Sequence, residues 1–269
     1  NPKVAGAITE HGHGLLRWTR DLLKTRNLRV IYGDTDSLFI DPGFSEDIDA
    51  ESAWDEGTRI CDWINGELAN YVENTYRVAS RLELEFEKLF RRFFLPFSRG
   101  EELKGRAKGY AGLLYSPSGE RLDITGMEAV RSDWTDLAHN AQRDLLAMIF
   151  HDVSSEKIED HIWDLVNSVR KGEKDAALIY RKRLRKPVES YTKSLPPHVK
   201  AAKLLENPSG TISYLITRDG PQPLGNVTSP IDYSHYVDKQ IAPIVNTIAR
   251  VSDLDANSAL LGAPTLFKL

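Results

Sequence analysis

The chain switches between two hydrophobic periods, and each switch marks an element. Over residues 4–24 the apolar positions Ala5, Ile8, Leu15, Leu16, Leu22 and Leu23 recur at helical spacing, and the pattern ends before Asn27. Val30-Ile31-Tyr32 and Leu38-Phe39-Ile40 then flank Gly33-Asp34-Thr35-Asp36-Ser37. Two β-branched and aromatic arms about a turn-forming centre predict a tight hairpin. Residues 54–76 return to helical spacing through Ile60, Trp63, Ile64, Leu68, Tyr71 and Val72. Leu82, Leu84 and Phe86 alternate with Glu83, Glu85 and Glu87, the pattern of a strand with one buried face. A second hairpin is predicted from residues 110–115 and 121–125 about Ser116-Pro117-Ser118-Gly119.

Beyond residue 130 the pattern turns mainly helical. Helices are predicted over 133–151 and 154–169, with Asp133 and Ser154 as N-caps. Pro187, Pro196-Pro197 and Pro208 punctuate the region that follows; 211–217 reads as a strand leading to Gly220-Pro221, and 233–249 as a final helix broken at Pro243. Helices covering one face of an antiparallel sheet, followed by a mainly helical half, give an α+β class.

Composition bounds the picture without sharpening it. The 269 residues, 41% hydrophobic and 28% charged, suffice for one large or two ordinary globular domains. No apolar run approaches a membrane span. The single Cys61 excludes an internal disulfide and a cysteine zinc cluster. With no signal-peptide pattern, a cytoplasmic protein is expected, and a chain that opens on Asn1 inside a helical pattern is expected to be a fragment.

The net charge of -4 argues against a uniformly basic nucleic-acid binder, but the charge is segregated. Residues 41–56 hold seven acids and no Lys or Arg, as a solvated loop entering a helix would. Residues 88–108 carry seven Lys or Arg against two Glu, and residues 181–203 carry eight against Glu189 alone. Read by itself, the second stretch is as consistent with an exposed helix face as with a phosphate-binding surface.

Asp34 and Asp36 are the candidate chemistry. Carboxylates set into an apolar run are disfavoured unless a charge or a proton compensates them, and hard oxygen ligands of this kind suit magnesium. Taken alone, an Asp-x-Asp turn is more often a solvated hairpin tip than a metal site. An aspartic protease would need glycine where Asp36 stands, and a glycosyltransferase site would not account for Tyr32-Gly33 before or Ser37 after.

The whole string Tyr32-Gly33-Asp34-Thr35-Asp36-Ser37 resembles the catalytic hairpin in the palm of family B DNA polymerases. Other stretches agree in order. Residues 1–14 are similar to the helix before that hairpin, most of all in the bacterial polymerase II branch. Residues 82–96 resemble the palm strand after it, Lys108-Gly109-Tyr110 the Lys-x-Tyr element, and residues 126–134 the crossing from palm to thumb. The resemblance covers nearly the whole chain and implies the carboxy-terminal part of the palm over 1–130 and the thumb with a tail over 131–269.

What the resemblance implies for chemistry is two-metal transfer of a deoxynucleotide from dNTP to a primer 3'-hydroxyl in the full-length enzyme. Asp36 is then the direct Mg2+ ligand and Asp34 supports it, while the Tyr32 ring packs the strand and the Ser37 hydroxyl bonds backbone in the turn. Lys108 and Tyr110 hold primer-template DNA. Ala107 stands where the family more often has a first lysine, with Arg106 or Lys104 to compensate. The basic residues Arg181, Lys182, Arg183, Arg185 and Lys186 become a phosphate-tracking surface. Arg131, Asp133 and Trp134 read as an ordinary junction with an N-cap and a core aromatic.

The family's other metal-binding aspartate, in an Asp-x-x-Ser-Leu-Tyr-Pro-Ser stretch, and its triphosphate-binding lysine do not occur here. The isolated chain is therefore expected to be inactive, and a noncatalytic DNA-binding module that keeps the hairpin as structure is the alternative. At the end of the chain, Leu266-Phe267 resembles the second half of the peptide with which bacterial polymerases bind the sliding clamp.

Overall fold

The computed structural model describes residues 2–34, 36–45, 47–98, 101–105, 109–115, 119–192 and 195–262. They fall into two compact units, the first made of residues 1–93 and 112–123, the second of 94–111 and 124–269. Among the described residues no helix is long and apolar enough to cross a membrane.

In the first unit, helix α1 (Pro2–Lys24) leads into strands β1 (Arg29–Asp34) and β2 (Ser37–Asp41), then helix α2 (Ala50–Tyr76). Helix α2 begins four residues before the apolar periodicity does, because Asp49 caps it: the Asp49 carboxylate accepts from the Ser52 N–H at 2.8 Å. The two long helices meet through Trp18 stacked on Tyr71, ring centroids 4.5 Å apart. Arg26, just past α1, lies 3.8 Å over the Trp63 ring of α2.

The strand expected from Leu82, Leu84 and Phe86 does not form. Residues 79–89 run without a strand neighbour and lie along α2. Leu84 and Phe86 are half-buried between exposed glutamates as the alternation implies, but a helix supplies the hydrogen bonds. The Asn65 side chain accepts from the Leu84 N–H at 2.8 Å and donates to its C=O at 2.9 Å. Cys61 adds an S–H bond to the same carbonyl at 3.2 Å. Phe86 approaches α2 so closely that a Cβ on Gly57 would stand 2.4 Å from its ring, which is why that turn of the helix carries glycine.

Strand β3 (Phe90–Phe94) follows, then the short pair β4 (Phe97–Ser98) and β5 (Glu101–Gly105), then β6 (Tyr110–Leu114) and β7 (Arg121–Thr125). The predicted second hairpin is β6 and β7, and β3 adds to it in a three-stranded sheet ordered β3-β6-β7. Surface ion pairs tie the strands, Lys88 to Asp123 at 2.8 Å and Arg91 to Glu120 at 2.6 Å.

The second unit is built on helices α3 (Asp136–Phe150) and α4 (Ser155–Arg170). Leu137, Ala138, Ala141, Leu145 and Leu146 of α3 and Ile158, Ile162, Val166 and Val169 of α4 are buried. One N-cap expectation needs correction, and the other holds in position. Thr135, not Asp133, caps α3, its hydroxyl accepting from the Ala138 N–H, while Asp133 bonds Arg131 at 2.8 Å. Ser154 occupies the cap position of α4 but its side chain makes no capping bond. Trp134, expected in the core, is only half-buried.

The unit also contains a three-stranded sheet, of which the sequence predicted only the strand over 211–217. Strand β8 (Tyr180–Arg183), short helix α5 (Pro197–Ala202), β9 (Thr211–Thr217) and β10 (Gly220–Pro223) assemble with strand order β10-β9-β8. A cluster of Val188, Val199, Ala201, Ala202, Ile212 and Tyr214 forms its core. Tyr180 stacks between Tyr214 and Tyr236, at 5.2 and 5.7 Å, and its hydroxyl meets His235 Nε2 at 3.1 Å. Burial pushes the Tyr214 phenol up to about 12 and those of Tyr180 and Tyr236 higher still.

The last predicted helix is continuous rather than broken at Pro243. Helix α6 (Tyr233–Tyr236) passes through a π-helical segment (Val237–Ile241) into α7 (Ala242–Ala249), and Pro243 follows the π-helical segment at the start of α7. Nor is it final: α8 (Ala256–Leu261) follows, capped by Gly262 at φ +67°, packed so tightly that a Cβ there would meet the Trp163 ring at 2.4 Å.

Candidate active-site hairpin and basic surface

The β1–β2 hairpin is antiparallel, and its register runs from Arg29 opposite Asp41 to Asp34 opposite Ser37. That register leaves Thr35 and Asp36 as the connection. Between Val30 and Tyr32 the pairing shifts, so β1 carries one residue more than its partner, a bulge that sharpens the local twist. Tyr32 then stands opposite Phe39, ring centroids 5.4 Å apart, and Phe39 packs 5.0 Å from Phe93 and 6.3 Å from Phe90. At the base, Arg29 and Asp41 pair at 2.6 Å. The Gly43 N–H and then Arg29 hold the Asp41 carboxyl below the usual range.

Aromatic packing thus fixes the arms, while the turn lifts Asp36 into solvent. The premise that this carboxylate bears a burial penalty is corrected: the apolar run is the support, not the surroundings, of its charge. Ser37 also differs from expectation. Its hydroxyl donates to Asp36 Oδ1 at 3.3 Å instead of to backbone, a long bond that inclines the carboxylate. Gly33 is tight as well, since a Cβ there would lie 3.2 Å from Leu38. The side chain of Asp34 and all of Thr35 lie outside the described residues.

As donors, carboxylate oxygens at a hairpin end suit a hard divalent cation such as Mg2+. Among the described residues no three His, Cys, Asp or Glu side chains converge on such an ion.

The DNA-contact candidates separate. Lys108 and Arg106 lie outside the described residues, as do Leu266 and Phe267. Tyr110 opens β6, half-buried. The basic stretch is not a helix face: Tyr180, Arg181, Lys182 and Arg183 are β8, paired with Tyr214, Ser213, Ile212 and Thr211. Alternation leaves Arg181 and Arg183 exposed and turns Lys182 inward to half-burial. Arg181 donates to Asp136 at 3.0 Å. Lys186 donates to the Ser190 carbonyl at 2.7 Å and lies 4.5 Å over the Tyr191 ring. Sequence reasoning missed Asp136 and Tyr191 as partners. Asp136, at the start of a helix 45 residues away, carried no local signal.

Comparison with known proteins is consistent along the chain. The family model described as DNA polymerase family B matches residues 3–251. DNA polymerase II of Escherichia coli is 37% identical over 262 residues, covering 92% of this chain and 32% of its own length. DNA polymerase 2 of Aeropyrum pernix is 28% identical over 258 residues, 90% of this chain and 28% of its own. The DNA polymerase alpha catalytic subunit of Mus musculus is 26% identical over 281 residues, 93% of this chain and 18% of its own. The chain thus spans a third or less of the length of these relatives.

Proposed function

The chain belongs to DNA polymerase family B, and on that premise we propose that it is the carboxy-terminal palm (1–130) and thumb (131–269) of a template-directed DNA polymerase. The observation that carries the reading is the hairpin itself, whose register brings Asp34 and Asp36 to one end of a rigid aromatic-packed support. Asp36 and Asp34 would hold Mg2+, with further ligands from polypeptide that this chain does not contain. A cation bound there supplies Lewis acidity and charge neutralisation for transfer of a deoxynucleotide from dNTP to a primer hydroxyl. The chain's own contribution is positional. Tyr32 packs against Phe39 across the arms, Ser37 donates to the Asp36 carboxylate, and the exposed turn presents Asp36 to solvent.

Lys108, Tyr110 and cations of the basic stretch that includes β8 would grip primer-template DNA through its phosphates, and Leu266-Phe267 would reach a sliding clamp. Such an enzyme would work in the cytoplasm on the nucleoid. Because two aspartates alone cannot hold the two ions that the transfer needs, the 269-residue chain alone should extend no primer; the alternative is a noncatalytic DNA-binding module that keeps the hairpin as structure. The test is Asp36→Ala in an enzyme restored to the length of its relatives. Single-turnover nucleotide addition should fall by orders of magnitude while DNA affinity changes little, as when only transition-state stabilisation is removed. A near-normal rate would sink the assignment.

A further inference from the structure

The five cations of the basic stretch differ in what already holds them. Arg181 is engaged by the Asp136 carboxylate at 3.0 Å. Both groups are half exposed, so the pair adds little to stability, but the carboxylate stands where a second anion would have to come. Lys186 is spent on the Ser190 carbonyl and the Tyr191 ring. Lys182 faces inward, half-buried.

Arg183 and Arg185 are exposed and hold no side-chain hydrogen bond or ion pair with any described residue. Their backbone is nonetheless fixed. Arg183 is registered against Thr211 in the sheet, the Leu184 N–H donates to the Gly210 carbonyl at 2.9 Å, and the Arg185 N–H donates to the Tyr191 hydroxyl at 3.3 Å. Guanidinium groups that are free at the head and anchored at the root can neutralise phosphate without breaking an existing bond.

We infer that Arg183 and Arg185 are the phosphate-binding pair of this stretch, and that Arg181 and Lys186 are already committed within the fold, to Asp136 and to Ser190 and Tyr191. The inference rests on the DNA-binding reading proposed above. It makes the partner a nucleic-acid duplex recognised through its backbone, without base information.

The test is equilibrium binding of the 269-residue chain to primer-template duplex by fluorescence anisotropy across a series of KCl concentrations. Removing one phosphate-neutralising cation should reduce the slope of log affinity against log salt by roughly one. Arg183→Ala/Arg185→Ala should therefore flatten the slope by roughly two, and Arg183→Lys/Arg185→Lys, which keeps the charge, should restore it. Arg181→Ala/Lys186→Ala should leave the slope unchanged, and Asp136→Asn, which releases Arg181, should steepen it. If the parent chain binds with a steep slope but Arg181→Ala/Lys186→Ala flattens it as much as the first pair does, the division of roles is overturned and the DNA reading survives. If the parent chain shows no salt-dependent binding, the DNA reading fails and this inference goes with it.

Discussion

The Asn65 side chain bonds both backbone polar groups of Leu84, accepting its N–H at 2.8 Å and donating to its C=O at 2.9 Å. One helix amide thus does for residue 84 what a neighbouring strand does in a ladder. Replacing Asn65 with Ala leaves two part-buried backbone groups short of a partner, although Cys61 still reaches the carbonyl. Loss of about 2 to 3 kcal/mol is expected. Urea unfolding of the 269-residue chain would show it as a lower midpoint, and an unchanged midpoint would mean that water replaces Asn65 without penalty.

Gln240 plays a related part in the second unit. Its Oε1, on a side chain 5% exposed, accepts both the Thr135 N–H at 3.0 Å and the Thr135 hydroxyl at 2.9 Å, linking the cap of α3 to the π-helical segment. Gln240→Leu keeps the volume and strands both donors, at an expected cost of about 2 to 4 kcal/mol. A double-mutant cycle with Thr135→Ala should give less than additive losses, since the hydroxyl can be stranded only once. Strict additivity would show that the two residues do not cooperate.

His235 makes folding sensitive to mild acid. Burial lowers its pKa first, opposed by Asp232 and Asp238 and reinforced by Lys239. With the proton on Nδ1, its Nε2 accepts from the Tyr180 hydroxyl, an acceptor that protonation removes. The unfolded chain then binds the proton more readily than the folded one. The contribution is therefore fully present above about pH 6.5 and is lost as the pH falls toward the lower folded value, by at most about 1.4 kcal/mol per pH unit for one proton. His198, lowered chiefly by burial and then by Lys182, adds in the same direction. Urea midpoints measured from pH 8 to 5 should decline, and His235→Gln should make the decline shallower. A parallel decline in the variant would assign it to other groups.

The hairpin was legible because its information is local. Turn chemistry over five residues and two apolar arms leave few alternatives, and the strand over residues 211–217 was equally self-contained, matching β9 in full. The expected strand over 82–87 failed for a physical reason: alternation reports which side chains are covered, not which group satisfies the backbone, and that group lies 19 residues back on a helix. The site divided along the same line. The candidate Asp36 turn could be picked out from its neighbours in sequence, whereas the engagement of Arg181 by Asp136 exists only after α3 and β8 have come together. Charge counts made the basic stretch uniform, and only side-chain bonding resolves it into free and committed cations.

Strand β8 ends the sheet ordered β10-β9-β8, so one side of its backbone has no strand beside it among the described residues. Such an edge is a template for pairing with another molecule, and consecutive cations oppose that by repelling their own kind. Exposed Arg181 and Arg183 set positive charge along this edge, as protection against self-association would require. Any change that neutralises them would therefore cost solubility as well as anion affinity, and the concentration at which the chain begins to aggregate should fall with each positive charge removed.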